Sequence, residues 1–294
     1  MTSPRAMVIA VASGKGGTGK TTVAAHLAVA SARSRETLLV DLDVEAPDAS
    51  GYFPDAKTRE PPSSIHVLVP LLIAERCTGC GLCAASCRFG AILAIGGVVT
   101  IDEGLCKGCG RCVAACHSSA LAEVAVEVGR SSLMIAGDFR ILEGRLSVGD
   151  TRSTTVIEAI KRQAGKIASK IQVRDCPPGV TCPATHAIEG ADYVVLVAEP
   201  TRFSLHDLGA AIALAKGLGI PLGVVVNKDG FGDADVDAFC EARNVPIVGR
   251  IAFLLSRAET GSAAKLWTTD ALFMQEMERI LARASEEGRK AARP

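Results

Sequence analysis

The sequence predicts an α/β fold, in which helices cover a mostly parallel sheet and a second, small domain is inserted. Short apolar runs alternate with helical patterns over most of the chain, as is typical of βαβ units. The composition is 48% apolar but only 4% aromatic, which suits a buried sheet packed with Ala, Val, Ile and Leu. The 294 residues correspond to about two domains at roughly 150 residues each.

Six apolar runs are predicted as strands and five periodic segments as helices. The strands are expected at residues 6–12, 37–42, 171–175, 193–198, 222–226 and 247–251. The helices are expected at residues 20–32, 154–164, 204–218, 234–243 and 269–290. Because strands and helices alternate, we expect the strands to lie parallel, with their carboxyl ends at one edge of the sheet.

The alternation stops between about residues 48 and 130. A linker rich in Pro and Ser opens this part, and eight of the eleven cysteines then lie between Cys77 and Cys116. The cysteine block repeats itself with an offset of 29 residues, from Cys77 to Cys106. We therefore predict a main domain in two parts, residues 1–66 and 124–294, and an inserted domain at residues 67–123.

A glycine-rich loop follows the first predicted strand and opens the first predicted helix. It contains the full G-x-x-x-x-G-K-T pattern, from Gly14 to Thr21. In this context the backbone N–H groups cradle phosphates, Lys20 reaches the β- and γ-phosphates, and the Thr21 hydroxyl binds Mg²⁺. The residues predicted to hold the nucleotide here are Gly14, Lys15, Gly16, Gly17, Thr18, Gly19, Lys20, Thr21 and Thr22.

Two other interpretations of this loop exist. The same glycines spell the dinucleotide fingerprint G-x-G-x-x-G, with Asp41 22 residues after Gly19. A pyrophosphate-binding turn has no need of Lys20 and Thr21, however. The loop would also be compatible with a glycine-rich turn that binds no ligand. The strand-loop-helix context favours the nucleoside triphosphate.

Polar residues at three predicted strand ends support a triphosphate site. Asp43 can position a water molecule or hold the Mg²⁺ shell, and Asp175 can bind Mg²⁺ through water. Asn227 ends a later strand, where a base can be recognised, although a strand-end turn also explains it. A guanine site of the N-K-x-D type would need Asp at position 230, where this chain has Gly230. The pattern therefore indicates adenine.

The segment from Lys15 to Thr22 resembles the deviant Walker A motif of the MinD/ParA/Mrp and nitrogenase-iron-protein superfamily. The resemblance implies a Mg²⁺-dependent ATPase that acts as a homodimer, or as a heterodimer with a related ATPase. It implies that Lys15 crosses the dimer interface to the partner's phosphates. Asp43 and Asp175 match the two switch aspartates, and Asn227 matches the adenine contact. The implied catalytic residues are Lys15, Lys20 and Asp43, and the implied Mg²⁺ ligands are Thr21 and Asp175.

The cysteine block contains two copies of C-x₂-C-x₂-C-x₃-C and resembles the bacterial ferredoxin with two [4Fe–4S] clusters. In such ferredoxins the fourth cysteine of each run serves the other cluster. The resemblance therefore implies a first cluster on Cys77, Cys80, Cys83 and Cys116. It implies a second cluster on Cys87, Cys106, Cys109 and Cys112. Zinc is the structural alternative, but one tetrahedral ion would leave four of these cysteines without a role.

Three cysteines lie outside the block. Cys240 falls on a predicted helix and is expected in the core. Cys176 and Cys182 flank a Pro-Pro-Gly loop, where they either pack or form a further metal site. Eleven cysteines fit a closed set of disulfides poorly, so we expect a reduced, cytoplasmic protein.

Charge and hydropathy exclude several partners. Basic and acidic residues both number 32, so nothing indicates a nucleic acid. No apolar run approaches the ~18 residues of a membrane span, and no membrane partner is expected. We expect a dimeric ATPase that couples nucleotide state to electron transfer or iron–sulfur cluster handling for a redox or iron–sulfur client. The alternative is a MinD- or ParA-like spatial organiser whose ferredoxin module senses redox state.

Overall fold

The computed structural model describes residues 5–257 and 266–291, and the chain forms two compact units. The larger unit takes the residues up to Pro62, Ser131–Arg145 and the residues from Ile157 onward. The smaller unit takes Ser63–Arg130 and Leu146–Val156. The predicted insert of residues 67–123 lies inside the first segment of the smaller unit, whereas no sequence pattern indicated the second segment.

Strands and helices are numbered here in chain order over the described residues. The strands are β1 Met7–Ala12, β2 Thr37–Asp41, β3 Lys57–Thr58, β4 Ser63–Leu72, β5 Ile92–Ile95, β6 Val98–Ile101, β7 Leu121–Ala136, β8 Phe139–Leu146, β9 Ile171–Asp175, β10 Tyr193–Ala198, β11 Leu222–Asp229 and β12 Ile247–Ala252. The helices are α1 Lys20–Ala32, α2 Leu82–Ser86, α3 Arg111–Ala114, α4 Ser153–Ala164, α5 Cys182–Ile188, α6 Arg202–Gly217, α7 Val236–Glu241 and α8 Ala271–Ala291.

The sheet of the larger unit has the strand order β12-β11-β10-β1-β9-β2-β8-β7-β3. Along the sheet from β12 to β8, each strand pairs in parallel with its neighbour. At the other end, β3 pairs antiparallel to β7. The mostly parallel sheet predicted from the sequence is confirmed. Strand β1 lies where the chain order reverses, with β9 on one side and β10 on the other, and ligands of open α/β sheets bind at such a point.

Aliphatic and small side chains fill the core of the larger unit, which explains the low aromatic content. Strand β1 is buried from Val8 to Ala12. Helix α1 is buried over most of its length because its inward residues are Val, Leu and Ala. Helix α8 adds Phe273, Met277 and Ile280 to the same core. This packing fixes the start of α1, and with it the phosphate loop.

Strand β8 was not predicted, although it lies next to β2 in the sheet. Its buried residues Ile141 and Leu142 belong to the core, but Arg140 and Glu143 interrupt the apolar run. Glu143 is nevertheless buried, and it pairs in register with Asp41 of β2. Charged side chains that find partners at a strand end therefore masked this strand in the sequence.

The smaller unit contains β4, the β5–β6 hairpin, the short helices α2 and α3, and the first residues of β7. Cysteines and aliphatic residues share its core, which includes Cys83, Ile92, Val99 and Cys112. Each repeat starts its helix after a left-handed glycine, Gly81 in one copy and Gly110 in the other. The sequence repeat is thus also a structural one. Among the described residues, no helix is both long and apolar enough to cross a membrane.

Candidate functional site

The phosphate loop lies between β1 and α1 and has no room for side chains at two of its glycines. A Cβ at Gly14 would lie 2.3 Å from the backbone of Asp207, and one at Gly19 would lie 2.2 Å from Nδ2 of Asn227. Gly17 and Gly19 have φ of 79° and 90°, a region that L-residues rarely adopt. Gly16 and Gly17 are exposed. The loop therefore presents bare backbone, as a phosphate cradle requires.

Lys20 lies at the base of this loop and faces two of the predicted aspartates. Its Nζ is 2.8 Å from Oδ1 of Asp175 and 3.7 Å from Oδ2 of Asp43. Burial alone would lower the pKa of Lys20, but the charge of Asp175 and its hydrogen bond outweigh burial and raise that pKa above its usual value. Lys20 is therefore a fixed cation at the place where phosphates would approach.

A cluster of carboxylates surrounds Lys20. Carboxylate oxygens of Asp41, Asp48 and Asp175 lie within 4.8 Å of one another. Burial raises the pKa of Asp41, and the neighbouring Asp175 raises it further. Burial likewise raises the pKa of Asp175, whose Oδ2 has no hydrogen-bond partner among the described residues. The cluster holds more negative charge than Lys20 balances.

The predicted Mg²⁺ ligands lie together beside this cluster. Lys20 joins them: its Nζ lies 3.4 Å from the Thr21 hydroxyl and 2.8 Å from Oδ1 of Asp175. Hydroxyl and carboxylate oxygens are the ligands that Mg²⁺ takes in nucleotide sites. The unpartnered oxygen of Asp175 and the surplus negative charge both fit a divalent cation. Asp48 was missed because no motif marks it.

Asp43 follows β2 and is half-buried at the opening of the site. Burial raises its pKa to about 6, with Lys20 opposing and Asp175 adding to the shift. The preceding carboxylate, Asp41, accepts hydrogen bonds from the backbone N–H groups of Asp43, Asp48 and Ala49, at 3.0, 3.1 and 3.0 Å. Asp41 therefore fixes the loop that carries Asp43, and Asp43 itself remains free to contact water or a cation shell.

Lys15 forms an ion pair within its own chain. Its Nζ is 2.9 Å from Oε2 of Glu199, and Lys228 bonds the other oxygen of the same carboxylate. Burial would raise the pKa of Glu199, but the hydrogen bonds from Lys228 and Lys15 lower it below its usual value. Lys228 also donates to the carbonyl oxygen of Gly17 at 3.1 Å. Glu199 and Lys228 were not predicted, and they hold Lys15 beside the loop.

A cavity of about 370 Å³ opens next to the loop and includes the predicted adenine contact. Asn227 is buried and donates from Nδ2 to the carbonyl oxygen of Thr18 at 2.7 Å. The Thr22 hydroxyl bonds the Tyr52 hydroxyl at 2.6 Å. The remaining wall includes Trp267, whose indole Nε1 has no partner among the described residues. A planar apolar wall with a buried, unpaired donor fits a nucleotide base.

His26 connects the phosphate-loop helix to this wall. Its Nε2 accepts a hydrogen bond of 2.8 Å from the backbone N–H of Trp267. Its Nδ1 therefore carries the proton, and it donates to the carbonyl oxygen of Thr22 at 2.7 Å. Burial lowers the pKa of His26 to about 4. His26 is thus a neutral, doubly bonded link, a role that sequence reasoning did not find.

In the smaller unit, four cysteines from two sequence segments line one small cavity of about 20 Å³. They are the four that the ferredoxin resemblance implies for the second cluster: Cys87, Cys106, Cys109 and Cys112. The Cys87 side chain reaches this cavity from the first cysteine run. This shared lining is compatible with the crossed assignment of the fourth cysteine, which stays a prediction.

Three of the four cysteines implied for the first cluster also lie in one part of the smaller unit. Cys77, Cys83 and Cys116 pack in one cluster of the core of the smaller unit, and burial raises the pKa of the Cys83 thiol. Cys80, the fourth of this set, is exposed. The Cys116 sulfur accepts a hydrogen bond from the Ala120 N–H at 3.2 Å. Cys116 belongs to the second run, so the exchange between runs is reciprocal.

Glycines and backbone N–H groups shape the loops around these sulfurs. Gly79 N–H donates to the Cys77 sulfur at 3.5 Å, and Gly108 N–H donates to the Cys106 sulfur at 3.4 Å. A Cβ at Gly108 would lie 2.1 Å from Cγ2 of Val67. Thiolates that accept N–H bonds in tight glycine loops are the donor set of iron–sulfur clusters. The residues present fit such a group.

The three other cysteines have different surroundings. Cys240 is buried, as predicted for a core residue. Cys176 is fully buried and burial raises its pKa to about 12, so it is held as a neutral thiol. Cys182 is exposed in the first turn of α5. Cys176 as placed offers no thiolate, and the further metal site at Cys176 and Cys182 stays a prediction.

A glycine loop lies between a buried parallel strand and a helix, and the lysine of this loop pairs with aspartates at strand ends. This arrangement defines a P-loop nucleotide-binding protein. The chain belongs to the CobQ/CobB/MinD/ParA nucleotide binding domain family, whose model matches residues 9–264. It is a MinD/ParA-family ATPase. The predicted kinship with MinD and ParA is thereby confirmed at the level of the family.

Similar proteins support the same assignment. An uncharacterized protein of Methanocaldococcus jannaschii is 34% identical over 227 residues, which cover 77% of this chain and 80% of that protein. The cell division ATPase MinD of Pyrococcus furiosus has a TM-score of 0.59 at 18% identity, over 95% of this chain and 98% of that chain. MinD of Pyrococcus horikoshii, solved with Mg-ADP, has a TM-score of 0.58 at 18% identity, over 98% of this chain and 100% of that chain. At these identities the two structures show a shared fold.

Proposed function

We propose that this ATPase is an iron–sulfur protein that acts as a dimer and couples its nucleotide state to electron transfer or cluster handling for a client protein. The observation that carries the proposal is the cavity lined by Cys87, Cys106, Cys109 and Cys112. Four thiols from two runs meet there in the crossed pattern of a two-cluster ferredoxin. We expect the dimer to form from two copies or with a related ATPase, in a reduced cytoplasm.

The ATPase site supplies the nucleotide half of this function. The glycine loop cradles the phosphates, Lys20 neutralises them, and Thr21 with Asp175 holds Mg²⁺. Asp43 orients the attacking water. Lys15 leaves Glu199 when the dimer closes and reaches the phosphates bound by the partner subunit, so that hydrolysis depends on the dimer.

The cysteine loops supply the other half. When bound, the clusters provide one-electron chemistry. The chain holds eight thiols in two sets, shields Cys83, Cys106 and Cys112 from water, and directs backbone N–H groups at the sulfurs. A partner that donates electrons, accepts them or receives a cluster is the class of client that this chemistry requires.

A second candidate is a spatial organiser in which the cysteine module senses redox state. The folds of MinD and of the ParA family ATPase of Chlorobium tepidum favour it, the latter with a TM-score of 0.56. The two candidates differ in a measurable way. An energy-coupled redox protein changes its cluster reduction rate on ATP binding, whereas an organiser changes its location or partner binding and leaves that rate unchanged.

The test is iron content after anaerobic reconstitution. We expect about eight irons per chain from two cubanes, with a broad absorption that bleaches on reduction. Cys87→Ser should damage the cluster held by Cys106, Cys109 and Cys112, although Cys87 lies in the other run. Cys240→Ala, which alters a buried cysteine outside the block, is the control and should keep all the iron. Bound zinc without a bleachable absorbance would overturn the proposal.

A further inference from the structure

The two cysteine runs begin with the same backbone turn, which makes them an internal comparison. In the first run, the Cys77 N–H donates to the carbonyl oxygen of Ala74 at 3.1 Å. In the second run, the Cys106 N–H donates to the carbonyl oxygen of Glu103 at 3.2 Å. Because both turns fix the first cysteine of a run, any further contact on one of them distinguishes the two candidate cluster sites.

The second turn has such contacts, and they come from a distant part of the chain. Arg152 donates from Nη1 to the Glu103 carbonyl oxygen at 3.3 Å, across 49 positions in sequence. The adjacent Thr151 donates from its hydroxyl to the carbonyl oxygen of Gly104 at 3.4 Å. In the described parts of the chain, no side chain donates comparably to Ala74. Both donors lie in the segment Leu146–Val156 of the smaller unit.

The Arg152 guanidinium is buried and forms an ion pair with Asp150. Its side chain is 5% exposed and that of Asp150 is 8% exposed. Nε of Arg152 lies 2.8 Å from Oδ1 of Asp150, and Nη2 bonds the other carboxylate oxygen. The hydrogen bond to Asp150 raises the pKa of Arg152, and the charge of Cys106 adds to that effect. Arg152 Nη1 and the Cys106 N–H donate to the same carbonyl oxygen, that of Glu103, so the guanidinium lies close to Cys106.

We propose that Arg152 is a positioning residue for the second cysteine run. It fixes the loop that presents Cys106, and it places a buried positive charge beside the cluster held by Cys87, Cys106, Cys109 and Cys112. On the matching turn of the first run, the charged residue before the cysteine is Arg76, which is exposed to solvent, so the two clusters differ in reduction potential. This inference rests on the proposed function. Nearby charge and hydrogen bonding tune cluster potentials, and a cation favours the reduced, more negative form.

A redox titration of the reconstituted full chain, followed by electron paramagnetic resonance, tests the inference. The second cluster is identified as the signal altered in Cys109→Ser. Arg152→Gln leaves Asp150 as an unpaired negative charge, so this signal should appear at a lower potential, while the first cluster stays unchanged. Arg111→Gln is the matched control, because Arg111 lines the same cavity but is exposed. Solvent screening should make its shift the smaller one.

Asp150→Asn separates electrostatics from structural support. It leaves Arg152 as the unpaired charge, so the potential of the second cluster should rise. Shifts in opposite directions support the inference, whereas shifts in the same direction in both variants, or none in either, overturn it. Iron analysis of the wild-type chain distinguishes this failure from failure of the proposed function: without iron the proposed function fails, and with eight irons but no opposite shifts only the role of Arg152 fails.

Discussion

Lys15 and Lys20 have different partners, and this predicts different defects on substitution. Lys20→Ala removes a cation that faces the bound phosphates, so we expect ATP affinity to fall about ten- to a hundredfold, the value of one charge-assisted hydrogen bond. Lys15→Ala frees Glu199 but leaves the loop intact, so ATP should bind and hydrolysis should stop. Equilibrium binding of a fluorescent ATP analogue and a phosphate-release assay measure both. Equal loss of binding in the two variants would contradict the trans role of Lys15.

His26 predicts a specific acid sensitivity. Its pKa is lowered from 6.5 to about 4 in the folded chain, so the unfolded chain binds the proton more readily. Stability should therefore decrease as the pH falls from 6.5 towards 4, by up to about 3 kcal/mol for this group. Urea unfolding of wild type and His26→Gln at several pH values measures this contribution as the difference between the two.

The comparison with His26→Gln is needed because protonation of Asp43 stabilises the folded chain as the pH falls, whereas protonation of His26 destabilises it. The pKa of Asp43 is raised from 3.8 to about 6, so the folded chain takes up its proton first, and folding becomes more favourable as the pH falls from about 6 towards 3.8. Both variants of the comparison contain Asp43, so its effect cancels. A stability difference that stays constant from pH 7 to pH 4.5 would contradict a neutral, buried His26.

Sequence reasoning found the residues that motifs mark and missed their partners. Lys20, Asp43 and Asp175 were predicted because each follows a recognisable strand or loop, and the structure brings them within ion-pair distance. Glu199 and Lys228 were missed because their function depends on two further strand ends meeting the loop. No local pattern indicates which of many charged residues will do so.

At the scale of elements, two glycines of the smaller unit form a matched pair. Gly108 and Gly90 both have φ of 66°, so alanine is equally strained in the backbone at either position. Only at Gly108 does the added Cβ meet other atoms, 2.1 Å from Val67 and 3.0 Å from the carbonyl oxygen of Leu68. We expect Gly108→Ala to lose iron from the second cluster, and Gly90→Ala to lose only about 1–2 kcal/mol of stability from backbone strain.

Iron content and thermal unfolding of the two alanine variants check this expectation. Each variant serves as the control for the other, since the two substitutions add the same methyl group at the same φ. If both variants retain the same iron and unfold at the same temperature, close packing between the loop and β4 is not what fixes the cysteines.

A predicted strand can match the structure even where polar residues interrupt the apolar pattern, as Gln172 and Arg174 do in β9. Strands β9 and β10 match their predicted residues, because each is bounded by turn or charged residues. Helix α6 begins at Arg202 rather than at residue 204, since the Thr201 hydroxyl caps it by accepting from the Ser204 N–H at 3.3 Å. Strand β8 escaped prediction because its charged residues are satisfied by partners far away in sequence.

At the scale of the whole molecule, the sequence predicted the parallel sheet, the phosphate loop and the family. These features depend on short-range signals. The match of residues 9–264 to one nucleotide-binding family confirms the predicted family. The return of residues 146–156 to the smaller unit could not be predicted. It depends on contacts such as the bond from Arg152 to Glu103, which joins positions 49 residues apart.

The two-segment composition of the smaller unit limits how it can be exchanged between proteins. A gene fusion that transplanted only the cysteine repeats would carry Glu103 without Arg152. The reverse operation, excision of the repeats as one continuous segment, would leave Arg152 and Asp150 without the Glu103 loop that Arg152 contacts. The portable module is therefore discontinuous, and a recombination event that conserves its chemistry has to move Ser63–Arg130 and Leu146–Val156 together.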